Sequence, residues 1–391
     1  MRPDILRGGL SVAALAAAAL LAGCASDAPT QAEIEAARLA AEIAARTPPP
    51  IALNQSVADA AAVYVAFTRD MAALEGGFTD PAQIQDALRR GSAYDPGQIS
   101  RGLVAYGSIL ALQSPEFVAG VRSAASDRAT RERLVADIVA DPGYAATLPG
   151  AEAAAGLVMS TLAADINALS RAANSIENDA YAIQARYDPR RSWAISAVRD
   201  REGRLEAAKV SSALTMLPPA GEASRLFSAA HSGGGALDVS GGPRKPPYPP
   251  AVVNALALAA LAALGSAGEN ARANTDALQF DRVSEGCLAM SKLNLFQCLA
   301  ASRPNYEDMF CLGRHVVRDL ATCSRGAAMP APIVTVSDVI PADPPPRAPE
   351  PIIITPVPAP AGPERSAPPA PRPAPSITES LNTQPRRAAP E

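Results

Sequence analysis

The sequence predicts an all-α protein, an Ala-rich helical bundle, and three observations predict it. Apolar residues return in alternating steps of three and four over long stretches, the spacing of one helix face. A recurring Asp-Pro pair supplies helix starts, with Asp as cap and Pro in the first turn. Alanine, the strongest helix former, dominates the composition. Ala-rich helices bury little area each, so slender helical layers are expected and not a bulky core.

The chain opens with a secretory signal over residues 1–23. Arg2 and Arg7 give it a positive front, and Leu10 to Leu21 form its apolar core. At 1.5 Å per residue that core would reach only about 18 Å, too short for a bilayer that needs roughly 20 apolar residues. Leu21-Ala22-Gly23-Cys24 resembles the lipobox of bacterial lipoproteins. The resemblance implies cleavage before Cys24 and acyl chains on its thiol, and it covers only these first residues. Each buried methylene adds about 0.8 kcal/mol, so several chains hold a protein firmly to a membrane. Ala25 and Ser26 follow without an acidic residue. By the sorting pattern of such lipoproteins, that favours the periplasmic face of the outer membrane, with the inner membrane as the alternative.

Residues 24–50 read as a lipidated tether. Gln31 to Arg46 is a short Ala/Glu/Arg helix with Glu42 and Arg46 one turn apart, and Pro48-Pro49-Pro50 ends it. Residues 51–217 read as a helical domain. Ser56 is the expected cap of its first helix, whose stripe runs Val57, Ala60, Tyr64, Phe67, Met71, Leu74. Asp80-Pro81 and Asp95-Pro96 open near-identical segments with Gln three residues after Asp, the placement of a capping box. Ser114-Pro115, Asp141-Pro142 and Asp188-Pro189 are further starts. The longest helix is expected from Ala151 to Tyr187, with a coiled-coil-like seam through Met159, Leu162, Ile166, Leu169, Ala173, Ile176, Ala180, Ile183 and Tyr187. Its expected partner is a second helix, Pro189 to Met216, folded back as an intramolecular hairpin; an intermolecular coil is the alternative.

Residues 218–250 carry clustered Gly and Pro and read as a linker between domains. Its glycines lack the Gly-Lys-Ser/Thr ending of a phosphate loop, so no nucleotide is expected. Residues 251–328 form a second helical segment. Ala251 to Leu264 is its most apolar part, too short to span a membrane, and reads as a buried helix; dipping into a membrane is the alternative.

Four cysteines remain beyond Cys24, an even number in an exported chain, and this points to disulfides. Two helices, Ser284 to Ala301 and Tyr306 to Thr322, flank an Arg303-Pro304-Asn305 turn. Facing residues of an antiparallel hairpin have a constant sum of positions, which pairs Cys298 with Cys311 and Cys287 with Cys323. The first helix places its cysteines 11 residues apart on one face, whereas 12 residues separate Cys311 from Cys323, about 120° off a common face. The mismatch predicts that Cys323 lies where its helix has frayed. Zinc and redox sites favour cysteines a few residues apart, and none are so placed, so neither metal nor cofactor is expected.

Residues 329–391 are Pro-rich and are expected to be a disordered, extended tail. Ile333 to Val339 and Ile352 to Thr355 are β-prone islands within it that could add a strand to a partner's sheet edge.

These readings bound the function. No basic stripe with interleaved aromatics suggests nucleic acid. Only His231 and His315 are histidines, and no hydrolase, metalloprotease or phosphate-loop motif is present, so an enzyme is not expected. The expectation is a non-enzymatic envelope lipoprotein, a structural adaptor that reaches an envelope protein or peptidoglycan through its tail. The alternative is a helical binding module for a lipid or small hydrophobic ligand.

Overall fold

The computed structural model of the protein describes residues 30–331. Cys24, the signal segment 1–23 and the tail beyond Ala331, with both its β-prone islands, lie outside the described residues. Among those described, all regular structure is helical: fifteen α-helices, short 3-10 turns and one π-helical turn. The only β pairing consists of two isolated bridges.

The centre is α11 (Pro250–Ala263), the segment too apolar to have a polar face. Every residue from Ala255 to Leu264 is at most 2% exposed. A helix apolar all round must be buried, and here the chain itself buries it. α4 (Pro96–Ala111) lies against it, with α2 (Gln55–Ala72) on the far side of α4. Gly102 sets that second crossing: a Cβ there would stand 2.5 Å from the Ala60 carbonyl oxygen, so only glycine lets α4 lie so close to α2. α5 (Pro115–Ala124), α6 (Arg128–Ala140) and the 3-10 turn Pro142–Thr147 close other sides of α11.

The Asp-Pro pairs act as caps. Asp80 accepts from the Gln83 N–H at 3.1 Å to open α3 (Pro81–Ser92), and Asp95 accepts from Gln98 at 2.8 Å to open α4. Gln98 does not return its side chain to the cap; its amide exchanges two hydrogen bonds with the Met216 backbone. α2 is capped by Asn54, two residues earlier than the expected Ser56, and the Ser56 hydroxyl donates to the Asn54 side chain.

The long helix is α7 (Ala151–Ala185), and its apolar stripe from Met159 to Ile183 is buried. Tyr187 lies past its end and is exposed. Its partner is not the 189–216 stretch. That stretch breaks into a 3-10 turn, α8 (Ser192–Ile195) and α9 (Arg201–Ser212), and α9 packs on α3 and on α13 (Arg282–Ala301). α7 instead packs on α2, α4 and the C-terminal run of α14 (Asn305–Leu312), the π turn Gly313–Arg318 and α15 (Asp319–Ala328). The reason is apolar supply: α9 buries only Arg204 and Ala208 within its span, too little to cover a 35-residue seam.

The 218–250 stretch, read as a linker, is folded into the same compact unit as both its flanks. α10 (Ala220–His231) buries Ala223, Leu226, Ala229 and Ala230 against α2 and α4. Buried Gln113 accepts from the Ala236 and Leu237 N–H groups and donates to the Ala229 carbonyl, which pins the glycine run. Gly241 and the Gly242 carbonyl then pass against the Gly156 backbone of α7, and neither Gly156 nor Gly241 has room for a Cβ.

α1 (Gln31–Arg46) stands apart: its described side chains are exposed along its length, and it opens with a capping box between Thr30 and Glu33. The chain joins the body at the prolines, where Arg122 donates to the Pro49 carbonyl and Arg131 to that of Thr47.

Candidate functional site

The cysteine hairpin is formed by α13 and the α14–π–α15 run. Cys298 is bonded to Cys311 and Cys287 to Cys323, with Cα–Cα distances of 5.7 and 5.6 Å. Cys323 is not in a frayed end: it lies inside α15 and is buried. The twelve-residue spacing is absorbed by the π turn. One i→i+5 turn takes up an extra residue without turning the following helix to a new face, so twelve residues here do the work of eleven. Both helices then present their cysteines on one face. A π turn leaves backbone carbonyls poorly served, and the buried Ser291 hydroxyl of α13 donates to one of them, that of His315, at 2.9 Å.

Ser291, His315 and Asp319 form a cluster between the disulfides. Ser291 Oγ lies 3.2 Å from Asp319 Oδ2, and His315 Nδ1 lies 3.3 Å from the same oxygen. A hydrolytic triad needs the serine against the imidazole and the carboxylate behind it. Here the serine faces the carboxylate directly and is buried, so the group ties the hairpin together. Arg318, at the end of the π turn, holds Glu177 of α7 through two hydrogen bonds of 2.6 and 3.0 Å.

A cleft of about 750 Å³ opens beside the hairpin turn. Its walls are the starts of α3 and α9, the segment from Trp193 to Asp200, and Leu299 and Asn305 of the hairpin. Beneath it lies a buried ion pair between Arg204 of α9 and Asp308 of α14. Arg204 also donates to Ser302 Oγ and to the Leu299 carbonyl, and Asp308 accepts from Ser302 and from Gln85 of α3. These bonds satisfy the pair except at Arg204 Nε, which has no partner. Three chain regions, the outer two 223 residues apart, therefore meet under one cleft.

Other ionisable groups are held off their ordinary behaviour by burial. Asp165 of α7 is pushed up to about 6 by desolvation, an effect reduced by the Arg69 guanidinium. Burial pushes the Lys292 amine down, while its ammonium donates to the carbonyls of Tyr94, between α3 and α4, and of Ser212, the last residue of α9. The Ser212 contact sets a cation at the negative end of α9. Tyr64 and Tyr106, whose rings stand 6.1 Å apart, are both raised chiefly by burial, Tyr106 to about 12.

Among the described residues no group of three or more His, Cys, Asp or Glu side chains is arranged to hold a metal ion. His231 lies far from the hairpin in sequence, with Nδ1 on the Phe227 carbonyl at 2.8 Å and Nε2 accepting from the Leu53 N–H. Comparison with protein-family models, curated proteins and solved structures finds no match.

The cleft was not legible in the sequence. Arg204 and Asp308 are ordinary surface letters in helical stretches, and their burial depends on helices distant in the chain. One available signal was Trp193, the sole tryptophan, set in an otherwise aromatic-poor chain.

Proposed function

We propose that the protein is a non-enzymatic, acyl-anchored envelope component that acts as a structural adaptor, holding a protein or cell-wall partner at a distance from the outer membrane. The observation that carries this reading is the exposed helix α1 between the lipobox cysteine and the folded body. Its 16 residues give a strut of about 24 Å. A helix whose described side chains are all exposed serves as a spacer. The body it carries is crosslinked twice and filled at its centre, properties of a scaffold.

A second reading, a binding module for a lipid or small hydrophobic ligand, draws on the cleft beside Trp193. The accessible lining is more apolar than polar, which suits such a ligand, while Arg89, Arg199 and Asp80 share the walls. Apolar ligands favour pockets lined predominantly by apolar side chains.

The test is in-cell crosslinking and co-purification with the full chain and with a chain ending at Ala328. The adaptor reading expects a specific envelope protein or wall fragment with the full chain. Co-purified lipid alone, from both forms, would favour the binding module. Replacing Cys24 with Ser is expected to release the protein from membranes; unchanged retention contradicts acyl anchoring.

A further inference from the structure

The segment at the cleft wall has an unused backbone edge. Val198 N–H donates to the Arg303 carbonyl at 2.8 Å, and Asn305 N–H donates to the Ser196 carbonyl at 3.1 Å. These two bonds flank the antiparallel bridge between Ala197 and Pro304. In that pattern the bonds come from the residues on either side of the bridged pair, so the N–H and C=O of Ala197 point the opposite way. Neither group has a hydrogen-bond partner within the described residues, and Ala197 is exposed and lines the cleft. The segment is held in place: Asn305 Nδ2 donates to the carbonyls of Trp193 and Ser196, and Ser196 Oγ to that of Trp193.

The side chains around this edge match one class of ligand. Trp193, Ala82 and Ala207 offer apolar contact above a buried floor of Leu88 and Ala208. Asp80 and Asp200 are engaged as caps of α3 and α9. Arg199, beside the free edge, is exposed and makes no ion pair among the described residues. Arg204 forms part of the cleft floor, with its Nε buried out of reach of a ligand.

We infer that the cleft binds an extended peptide segment of a partner protein, which adds as a strand to the Ala197 edge and sets an acidic side chain or terminal carboxylate against Arg199. Strand addition gains affinity from main-chain hydrogen bonds and specificity from alternate side chains, and both features are present here. The inference rests on the adaptor reading and assigns the body a second point of contact, separate from the tail.

The test uses the detergent-solubilised full chain and a displayed library of random heptapeptides. Enriched peptides are expected to alternate apolar residues and to share an acidic residue. Synthetic copies are expected to shift the emission of Trp193, the protein's single tryptophan. Arg199→Ala is expected to weaken binding about tenfold, the loss of one charge-assisted contact. Methylating peptide nitrogens one at a time leaves the protein unaltered; the one position whose N–H meets the Ala197 carbonyl should abolish binding and its neighbours should not. No enrichment, no change in Trp193 emission, or equal tolerance of methylation at every position would each overturn the proposal. A partner captured in cells only through residues 329–391, with no peptide bound at the cleft, leaves the adaptor reading standing and removes this one. Peptides that bind at the cleft when no partner is captured support the cleft and count against the adaptor reading.

Discussion

Helices α11 and α9 are of similar length and are fixed by opposite means. α11 has no charged residue and sits at the centre, held by apolar contact on every side. α9 is mostly polar and half-exposed, and what fastens it is specific: Arg204 to Asp308, Arg201 to the carbonyls that end α13, and Lys292 on its own last carbonyl. Apolar burial is non-directional and survives small rearrangement. A buried charged contact stands or falls with one partner. The cleft lies on the α9 side, so the region with binding geometry is also the region held by few, directional bonds.

The largest effect should come from the apolar side. Leu258→Asp places an unpaired carboxylate at a position with no exposure and should cost at least about 5 kcal/mol, close to the whole margin of a domain. The check is loss of cooperative unfolding by circular dichroism. On the polar side, Arg204→Ala should cost about 3–5 kcal/mol because Asp308 stays buried without its partner. The double change Arg204→Met with Asp308→Leu should recover most of that loss in denaturant titration. Recovery would sharpen the contrast, since it would show that the pair contributes specificity more than stability.

The disulfides come next. Removing Cys287–Cys323, which closes a separation of 36 residues, should cost about 4 kcal/mol, against about 3 for Cys298–Cys311 with a separation of 13. Paired serine substitutions and thermal unfolding measure the order.

The smallest effect concerns Asp165. Its folded-state value is raised to about 6, so its contribution to stability is fully present below the unfolded value near 3.8 and is lost as pH rises through about 6. Asp165→Asn should therefore stabilise the protein by about 2 kcal/mol at pH 8 and make little difference at pH 4. Equal effects at both pH values would count against burial as the cause.

Legibility in the sequence followed the same divide. α11 announced itself, because fourteen residues without a charge can only be buried or in a membrane, and their length excluded a span. The α7 stripe was visible through its steps of three and four, which mark one helix face whatever charges lie on the others. Its partner was not, because which helix covers a seam depends on apolar supply across the whole chain. The cysteine arithmetic named the pairs found in the structure, yet it read a twelve-residue spacing as fraying, since a π turn has no signature in composition. The 218–250 stretch misled through its glycines and prolines. They serve close packing against Gly156 and the Gln113 bridge, not flexibility. Arg204 and Asp308 left no trace, because partners 104 residues apart are joined only by the fold.

The outer disulfide also decides how the body meets mechanical load. Cys323 lies five residues before the end of α15, and it is bonded to Cys287 near the start of α13. A pull on the C-terminal tail can unravel the few residues beyond Cys323 and then reaches a covalent bond, so the hairpin cannot be peeled open from that end. A pull from the N-terminal side meets no covalent crosslink: it works against hydrogen bonds such as Arg122 on Pro49, Ala52 on Ala262 and Asn54 on Ala267, and against the burial of Ile51 and Leu53. Under tension between its two ends the protein should yield first at the tether side. The body would lengthen by releasing 47–54 while the crosslinked hairpin keeps its shape, which makes the N-terminal junction the mechanical fuse.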